Sequence, residues 1–129
     1  MGLAEKRAVQ KLKEGDFNKF VETARKICGY DLAVDLDWDS IEKDADCVSS
    51  LENTKPQDYF FARTEEALHL ICADEMGKSA AKEKLKKICF VNKEAPLEFT
   101  NGVLTINSRI NGSGVWGADS IKECLEAGL

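Results

Sequence analysis

The most constraining feature of this sequence is the pair Asn101-Gly102, which lies between two short segments of alternating apolar residues. Asn-Gly is a preferred pair for a two-residue type I′ turn, because both central residues then need a positive φ. The pairs that such a turn creates are Thr100 with Val103, Phe99 with Leu104, and Leu97 with Ile106. The apolar members share one face. Turn chemistry and hydrophobic pattern therefore predict the same β-hairpin independently.

The N-terminal quarter of the chain has helical periodicity. Apolar residues recur at helical spacing before Gly15, and again from Phe17 to Cys28. Gly15 suits the left-handed residue that follows a helix, Asp16 suits the cap of the next helix, and Gly29 suits the end of that second helix. The joint leaves little room for a loop, so we predict two helices that meet at a tight corner.

After Gly29 the period of the pattern changes from helical to two. Four apolar residues alternate with four aspartates: Leu32, Val34, Leu36 and Trp38 with Asp31, Asp35, Asp37 and Asp39. This alternation predicts a half-buried strand with a wet, acidic face. Asp39 and Glu42 have the spacing of a capping box, which predicts that a modest helix continues through Val48 toward Leu51.

The remainder of the chain predicts three more helices and a further strand. Pro56 suits the first turn of a helix whose apolar stripe runs from Phe60 to Cys72, and Asp74 suits the cap of a helix to about Lys87. The apolar residues expected on that helix and beyond it are Met76, Ala81, Leu85 and Ile88. A short strand follows over 88–91, and Ser120 with Glu123 can cap a final helix.

These segments predict one α+β domain over residues 1–129. We expect an N-terminal helical pair, an antiparallel β-meander or hairpin sheet of about four strands covered by helices, and a C-terminal helix. A chain of this length can bury a core without disulfides.

Composition limits the partners and the cellular location that we expect for this protein. The net charge of -5 and the pI near 5.0 repel polyanions, which disfavours nucleic acid as a partner. No run approaches the ~20 apolar residues that span a bilayer, and the opening has no secretory h-region. The five cysteines form no CxxC pair, which predicts reduced, buried thiols. We therefore expect a cytoplasmic protein with no cofactor and no membrane association.

Two glycine motifs resemble phosphate-binding loops but lack the required context. Gly112–Gly117 reads GxGxxG, yet it follows an antiparallel hairpin and only 12 residues remain after it. Here we expect a surface loop anchored by Trp116. Gly77-Lys78-Ser79 resembles the end of a Walker A loop, but the upstream glycine is replaced by Cys72 and a helix precedes it.

Acidic residues and the single histidine offer the remaining candidate chemistry. Asp35, Asp37, Asp39 and Asp46 match positions 1, 3, 5 and 12 of an EF-hand loop, although Ser40 replaces its glycine. The alternative is that these aspartates form the wet face of a strand and cap the next helix. His69 lies one helical turn from Glu65 and from Cys72, which suits either a metal-binding face or a surface Glu-His pair.

Three segments resemble a family of small uncharacterised bacterial proteins. They are Gly2–Val9, Gly29-Tyr30-Asp31 through Trp38-Asp39-Ser40, and Tyr59 through Ile88 with Asp74-Glu75-Met76-Gly77. The resemblance implies one compact domain, and it implies no activity, cofactor or catalytic residue.

The patterns favour a small non-enzymatic domain that binds a protein partner or a small ligand, because the strongest signals serve folding. The candidate binding residues are Asp35, Asp37, Asp39, His69 and Trp116. One alternative is a metal-assisted hydrolase that uses the aspartates. Another is an acidic inhibitor or immunity-type protein that blocks a basic partner.

Overall fold

The computed structural model describes residues 2–54, 60–110 and 116–129, with the backbone alone at 52–54. The described helices are α1 (Leu3–Glu14), α2 (Asp16–Cys28), α3 (Trp38–Glu42), α4 (Ala45–Thr54), α5 (Phe60–Ile71), α6 (Glu75–Lys84) and α7 (Ala118–Gly128). The described strands are β1 (Ala33–Leu36), β2 (Lys87–Val91), β3 (Glu98–Thr100) and β4 (Val103–Asn107). The predicted α+β class, with its helical pair, four strands and C-terminal helix, is confirmed.

The sheet is mixed, with strand order β1-β2-β4-β3. The predicted antiparallel pairing holds for the β3-β4 hairpin, whereas β2 runs parallel to both β1 and β4. Four described helices separate β1 from β2, which is the long crossover that parallel neighbours require. The connection at 92–97 carries the chain past the inner strand β4 to the edge strand β3. The hairpin therefore joins the sheet through its second strand.

The β3-β4 hairpin has the predicted turn and register. Thr100 pairs with Val103 and Phe99 with Leu104. Asn101 has φ 54° and Gly102 has φ 80°, as a type I′ turn requires. The paired ladder begins at Glu98, so the expected pair of Leu97 with Ile106 lies just beyond it.

Aromatic rings join the helical layer to one face of the sheet. The ring of Phe90 on β2 lies 5.2 Å from that of Phe20, 5.1 Å from that of Phe60 and 5.3 Å from that of Phe61, measured between centroids. All four residues are buried. Offset and edge-to-face pairs of this kind each contribute about 0.5–1.5 kcal/mol beyond the area that they bury. This cluster places α2 and α5 on the same side of the sheet.

The corner between α1 and α2 is as tight as predicted, but its chemistry differs. Gly15 has φ -100°, which is not left-handed, and it serves as the C-cap of α1 and the N-cap of α2. Asp16 is the first residue of α2 and makes no side-chain cap bond. A Cβ at Gly15 would lie 2.9 Å from the Lys11 carbonyl oxygen, so close approach of the backbone explains this glycine. Gly29 ends α2 in the left-handed region, as predicted.

The strand β1 ends earlier than the alternation of residues 31–39 suggests. The chain enters α3 at Trp38, and the residue that caps α3 is Asp37, not Asp39 as predicted. Asp44 then caps α4, because its Oδ1 accepts a hydrogen bond of 3.1 Å from the Cys47 N–H. The predicted single helix from Ile41 onward is therefore two helices. The break at Pro56 lies outside the described residues.

The later helices follow the predicted stripes with three differences. Asp74 caps α6 as predicted, with a bond of 2.8 Å from the Gly77 N–H. Met76 is 82% exposed, so its place in the predicted apolar stripe was wrong, and α6 ends at Lys84. The N-cap of α7 is Gly117, so Ser120 does not cap that helix.

Candidate protein-binding surface

The two faces of the sheet differ in burial. Along β2 and β4, the residues that contact the helical layer are buried: Ile88, Phe90, Leu104 and Ile106. The residues between them on the other face are only half-buried: Lys87, Cys89, Val91, Val103 and Thr105. Parallel strands in α/β proteins usually have both faces covered. We call this second face of the sheet, made by those five residues with Ala33, Asp35, Glu98 and Thr100, the open face.

The strand register defines the composition of the open face. One row crosses the sheet as Asp35, Cys89, Thr105 and Glu98, and the row beside it as Ala33, Lys87, Val103 and Thr100. Carboxylates therefore lie on the two edge strands, and small or apolar side chains lie between them. Lys87 is the one cation in these rows, and its Nζ lies 3.8 Å from Asp35 Oδ2.

The acidic charge of the chain is concentrated in the segment that contributes Asp35 to the open face. Residues 31–46 contain seven acidic residues and one lysine, whereas the rest of the chain has 17 basic and 16 acidic residues. We call residues 31–46 the acidic edge, because they include the edge strand β1 and the helix that follows it. Its exposed acidic residues are Asp31, Asp35, Asp37, Asp39, Glu42 and Asp46. The net charge of the molecule therefore lies almost wholly in the segment that contains the edge strand β1.

The three aspartates expected to act together have separate local roles. Asp35 Oδ1 accepts a hydrogen bond of 2.8 Å from the Leu36 N–H, and Asp37 Oδ1 accepts one of 3.2 Å from the Ser40 N–H. Asp39 lies in the first turn of α3, and Asp46 in the first turn of α4. Over the described ranges, no group of three or more His, Cys, Asp or Glu residues is placed to hold a metal ion. The chain changes from strand to helix at Asp37. The aspartates therefore do not lie on one continuous loop, which an EF-hand requires.

His69 does not belong to the open face. It is exposed on α5, and α5 packs against the opposite face of the sheet through Phe60 and Phe61. Its neighbour Cys72 is buried and contacts Cys28. The predicted Glu-His-Cys face is therefore not a single surface site, because the His69 imidazole is exposed and the Cys72 thiol faces the core.

Trp116 anchors the chain at the carboxyl end of β4. Its indole Nε1–H donates a hydrogen bond of 2.7 Å to the Asn107 carbonyl oxygen, and the half-buried ring packs against the core. The preceding residues 111–115, which carry most of the GxGxxG motif, lie outside the described residues. The predicted anchoring role of Trp116 agrees with these contacts.

Asn92 organises a polar network at the carboxyl ends of the parallel strands. Its Nδ2 donates to the Ser40 carbonyl oxygen at 3.0 Å and to Asp44 Oδ2 at 3.1 Å, while its Oδ1 accepts from the Ile110 N–H at 2.9 Å. Arg109 Nη2 lies 3.4 Å from the same Asp44 oxygen. Sequence reasoning missed this network, because its members are separated by 48 and 65 residues and belong to no motif.

The charge of Asp44 is stabilised by these neighbours. The hydrogen bond from the Cys47 N–H is the largest cause that lowers the pKa of Asp44, and the Asn92 amide and the Arg109 guanidinium add to it. Desolvation opposes them with a smaller effect than the cap bond. A hydrogen-bonded, ionised carboxylate thus fixes the start of α4 within the acidic edge.

Comparison with known proteins found no relative. No family model matches the chain, and neither a curated protein nor a solved structure matches it. The resemblance to small bacterial proteins therefore stays a prediction. Among the described helices, none is both long enough and apolar enough to cross a membrane.

Proposed function

We propose that this protein is a small non-enzymatic binding domain whose acidic edge and open face together bind a basic surface of a protein partner. The observation that carries the proposal is the confinement of the net negative charge to residues 31–46, next to a sheet face that is only half-buried. An acidic inhibitor that blocks a basic partner is one form that such a domain takes.

The arrangement of the open face suits a protein interface. Interfaces have a core depleted in charge and a polar, solvent-accessible rim. Cys89, Val103 and Thr105 supply a centre of low polarity, the one inner charge, Lys87, lies 3.8 Å from Asp35, and Asp35 and Glu98 lie toward the rim. Exposed carboxylates would steer a basic partner and speed the encounter, which makes the association rate sensitive to salt.

The local roles of the acidic residues favour binding over catalysis. Asp37 and Asp44 each cap a helix with one carboxylate oxygen, and Asp35 accepts a hydrogen bond from a backbone N–H. Asp44 is half-buried beside Arg109, whereas the carboxylates of Asp35 and Asp37 are exposed and present negative charge to solvent. They serve as fixed negative charges for a cationic surface, which is the property that electrostatic steering needs.

The test compares capture by the tagged domain with capture by two charge-matched variants. Asp35→Asn/Asp39→Asn removes two negative charges from the acidic edge, and Asn at position 35 keeps an oxygen that can accept the Leu36 N–H. Glu22→Gln/Glu83→Gln removes two charges from exposed positions on α2 and α6. Each protein is incubated with a lysate of the cells that produce it, at low and high salt, and retained proteins are quantified by mass spectrometry.

We expect a basic protein that the wild-type domain and the Glu22→Gln/Glu83→Gln variant retain at low salt. The Asp35→Asn/Asp39→Asn variant should lose most of it, and high salt should release it from all three. Equal retention by both variants, or an absence of any retained protein, would refute the proposal.

A further inference from the structure

Two thiols lie against each other inside the helical layer. Cys28 is the last residue of α2, and Cys72 follows directly after α5. Their Sγ atoms are 3.9 Å apart, although 44 positions separate the residues in sequence. Both side chains are buried, with Cys28 4% and Cys72 6% exposed. The fold therefore brings together a pair that the spacing of the cysteines does not reveal.

Cys72 differs from the other four cysteines in the direction of its pKa shift. The hydrogen bond between Cys72 and Cys28 is the largest cause that lowers the pKa of the Cys72 thiol; burial opposes it, and the charge of Lys78 supports it. The same interaction raises the pKa of Cys28. Burial raises the pKa of Cys47 to about 12 and also raises the pKa values of Cys89 and Cys124. Because the thiolate is the reactive form, Cys72 is the favoured nucleophile among the five.

We propose that Cys28 and Cys72 form an oxidation site, at which hydrogen peroxide converts the two thiols into a reversible intramolecular disulfide. The two sulfur atoms need to approach from 3.9 Å to the bonded distance of about 2.0 Å, which is a small adjustment within the helical layer. Cys72 lies in a turn and Cys28 is followed by the left-handed Gly29, so we expect these two segments to adjust.

The reaction has two balanced steps. The Cys72 thiolate attacks one oxygen of hydrogen peroxide, the O–O bond breaks, and Cys72 becomes a sulfenic acid. The hydroxide that leaves takes the proton released by Cys72 and becomes water. The Cys28 sulfur then attacks the Cys72 sulfur, the S–O bond breaks, and the departing hydroxide takes the Cys28 proton to form a second water. The two thiols lose two electrons, and the peroxide gains them.

The bond would tie the end of α2 to the corner between α5 and α6. Tyr30, two residues after Cys28, already joins the end of α2 to the C-terminal end of α6, because its hydroxyl donates to the carbonyl oxygens of Ala81 at 3.0 Å and Leu85 at 2.7 Å. A covalent link that closes this long loop removes freedom from the unfolded chain. We therefore expect the oxidised protein to unfold at a higher temperature than the reduced protein.

The test treats the folded wild-type chain with hydrogen peroxide and maps its peptides by mass spectrometry after alkylation of the remaining thiols. The expected product is a peptide pair linked through Cys28 and Cys72, with a mass lower by two hydrogens and cleaved by dithiothreitol. Cys47 is the control within the same molecule, since it is buried and unpaired with another thiol among the described contacts. It should stay reduced.

Two variants separate the roles of the two sulfurs. In Cys28→Ser, dimedone should trap a sulfenic acid at Cys72, whereas in Cys72→Ser the peroxide should leave Cys28 reduced. Cys47→Ser should form the linked pair at the wild-type rate. Circular dichroism checks the fold of each variant, and the wild-type peptide map decides the question if a variant does not fold. The proposal is overturned if the linked pair is absent, forms only in denaturant, or forms after oxidation of Cys47, Cys89 or Cys124.

Discussion

Asn92 shows how one side chain can join three segments that are distant in sequence. Its backbone N–H donates to Ser40 Oγ, its amide nitrogen donates to Ser40 and Asp44, and its amide oxygen accepts from Ile110. The short side chain of asparagine ends in an amide that supplies two N–H donors and one oxygen acceptor. Aspartate would lose the two side-chain donor bonds, and leucine would lose all three side-chain bonds. The residue therefore holds the α3-α4 junction to the carboxyl ends of β2 and β4.

Asp44 is the charged member of that network, and we predict that its contribution to stability depends on pH. Its pKa is lower in the folded protein than the ordinary value of 3.8, so the stabilisation is present above that value and is lost as pH falls through the folded pKa. Asp44→Ala should lower the free energy of unfolding by about 1–2 kcal/mol at pH 7, as expected for loss of an N-cap.

The measurement is urea unfolding of wild type, Asp44→Ala and Asp46→Ala between pH 7 and pH 2. Asp46 is an exposed neighbour in the first turn of the same helix and serves as the control. The gap between wild type and Asp44→Ala should narrow in acid. A gap that stays constant with pH, or one of equal size for Asp46→Ala, would contradict the assigned role of the Asp44 charge.

At the scale of elements, Asp37 marks the change from strand to helix. Its N–H donates to the Phe90 carbonyl oxygen at 2.8 Å, which continues the main-chain pairing of β1 with β2. Its carboxylate accepts the Ser40 N–H and so begins α3. An aspartate at this position fits the alternating pattern of a strand, and it equally suits the N-cap of a helix. The alternation in the sequence can therefore continue past the point where the strand ends. This double role explains why the predicted strand extended past the real one.

We predict unequal effects from two neighbouring aspartates. Asp37→Ala should destabilise the protein by about 1 kcal/mol, because the first turn of α3 loses its cap. Asp39→Ala should cost about 0.3–0.5 kcal/mol, since Asp39 is exposed and favours the helix N-terminus only through the dipole. Urea titrations at pH 7 compare the two, and equal losses would show that the cap belongs to neither residue alone.

At the scale of the whole molecule, local signals predicted elements and non-local contacts decided their arrangement. The β3-β4 hairpin and α5 follow from turn chemistry and periodicity, which act over a few residues. The parallel pairing of β2 with β4 depends on which strand of the hairpin lies next to β2. No local sequence pattern predicts which of the two strands it is. The exposed aspartates of the candidate site were visible in the sequence, whereas the contact of Cys28 with Cys72 depends on tertiary packing. Function was predicted only as a class, because binding surfaces need no motif.

The one-sided cover of the sheet predicts opposite outcomes at adjacent residues of β4. Ile106 is 2% exposed and faces the helical layer, while Thr105 is half-buried on the open face. Ile106→Lys would bury an unpaired charge, so we expect the chain to lose its cooperative unfolding transition. Thr105→Lys lets the long stem lie along the sheet with its ammonium in water, and its cost should stay within about 1 kcal/mol.

Thermal unfolding followed by circular dichroism distinguishes the two variants, and the capture experiment adds a functional reading. Thr105→Lys places a cation at the centre of the proposed interface, so a folded variant should no longer retain a basic partner, through both like-charge repulsion and steric overlap. Thr105→Ser, which keeps the hydroxyl, should retain it. Unfolding by Thr105→Lys would mean that the open face belongs to the core, while a folded Thr105→Lys that still binds would move the interface to the acidic edge alone.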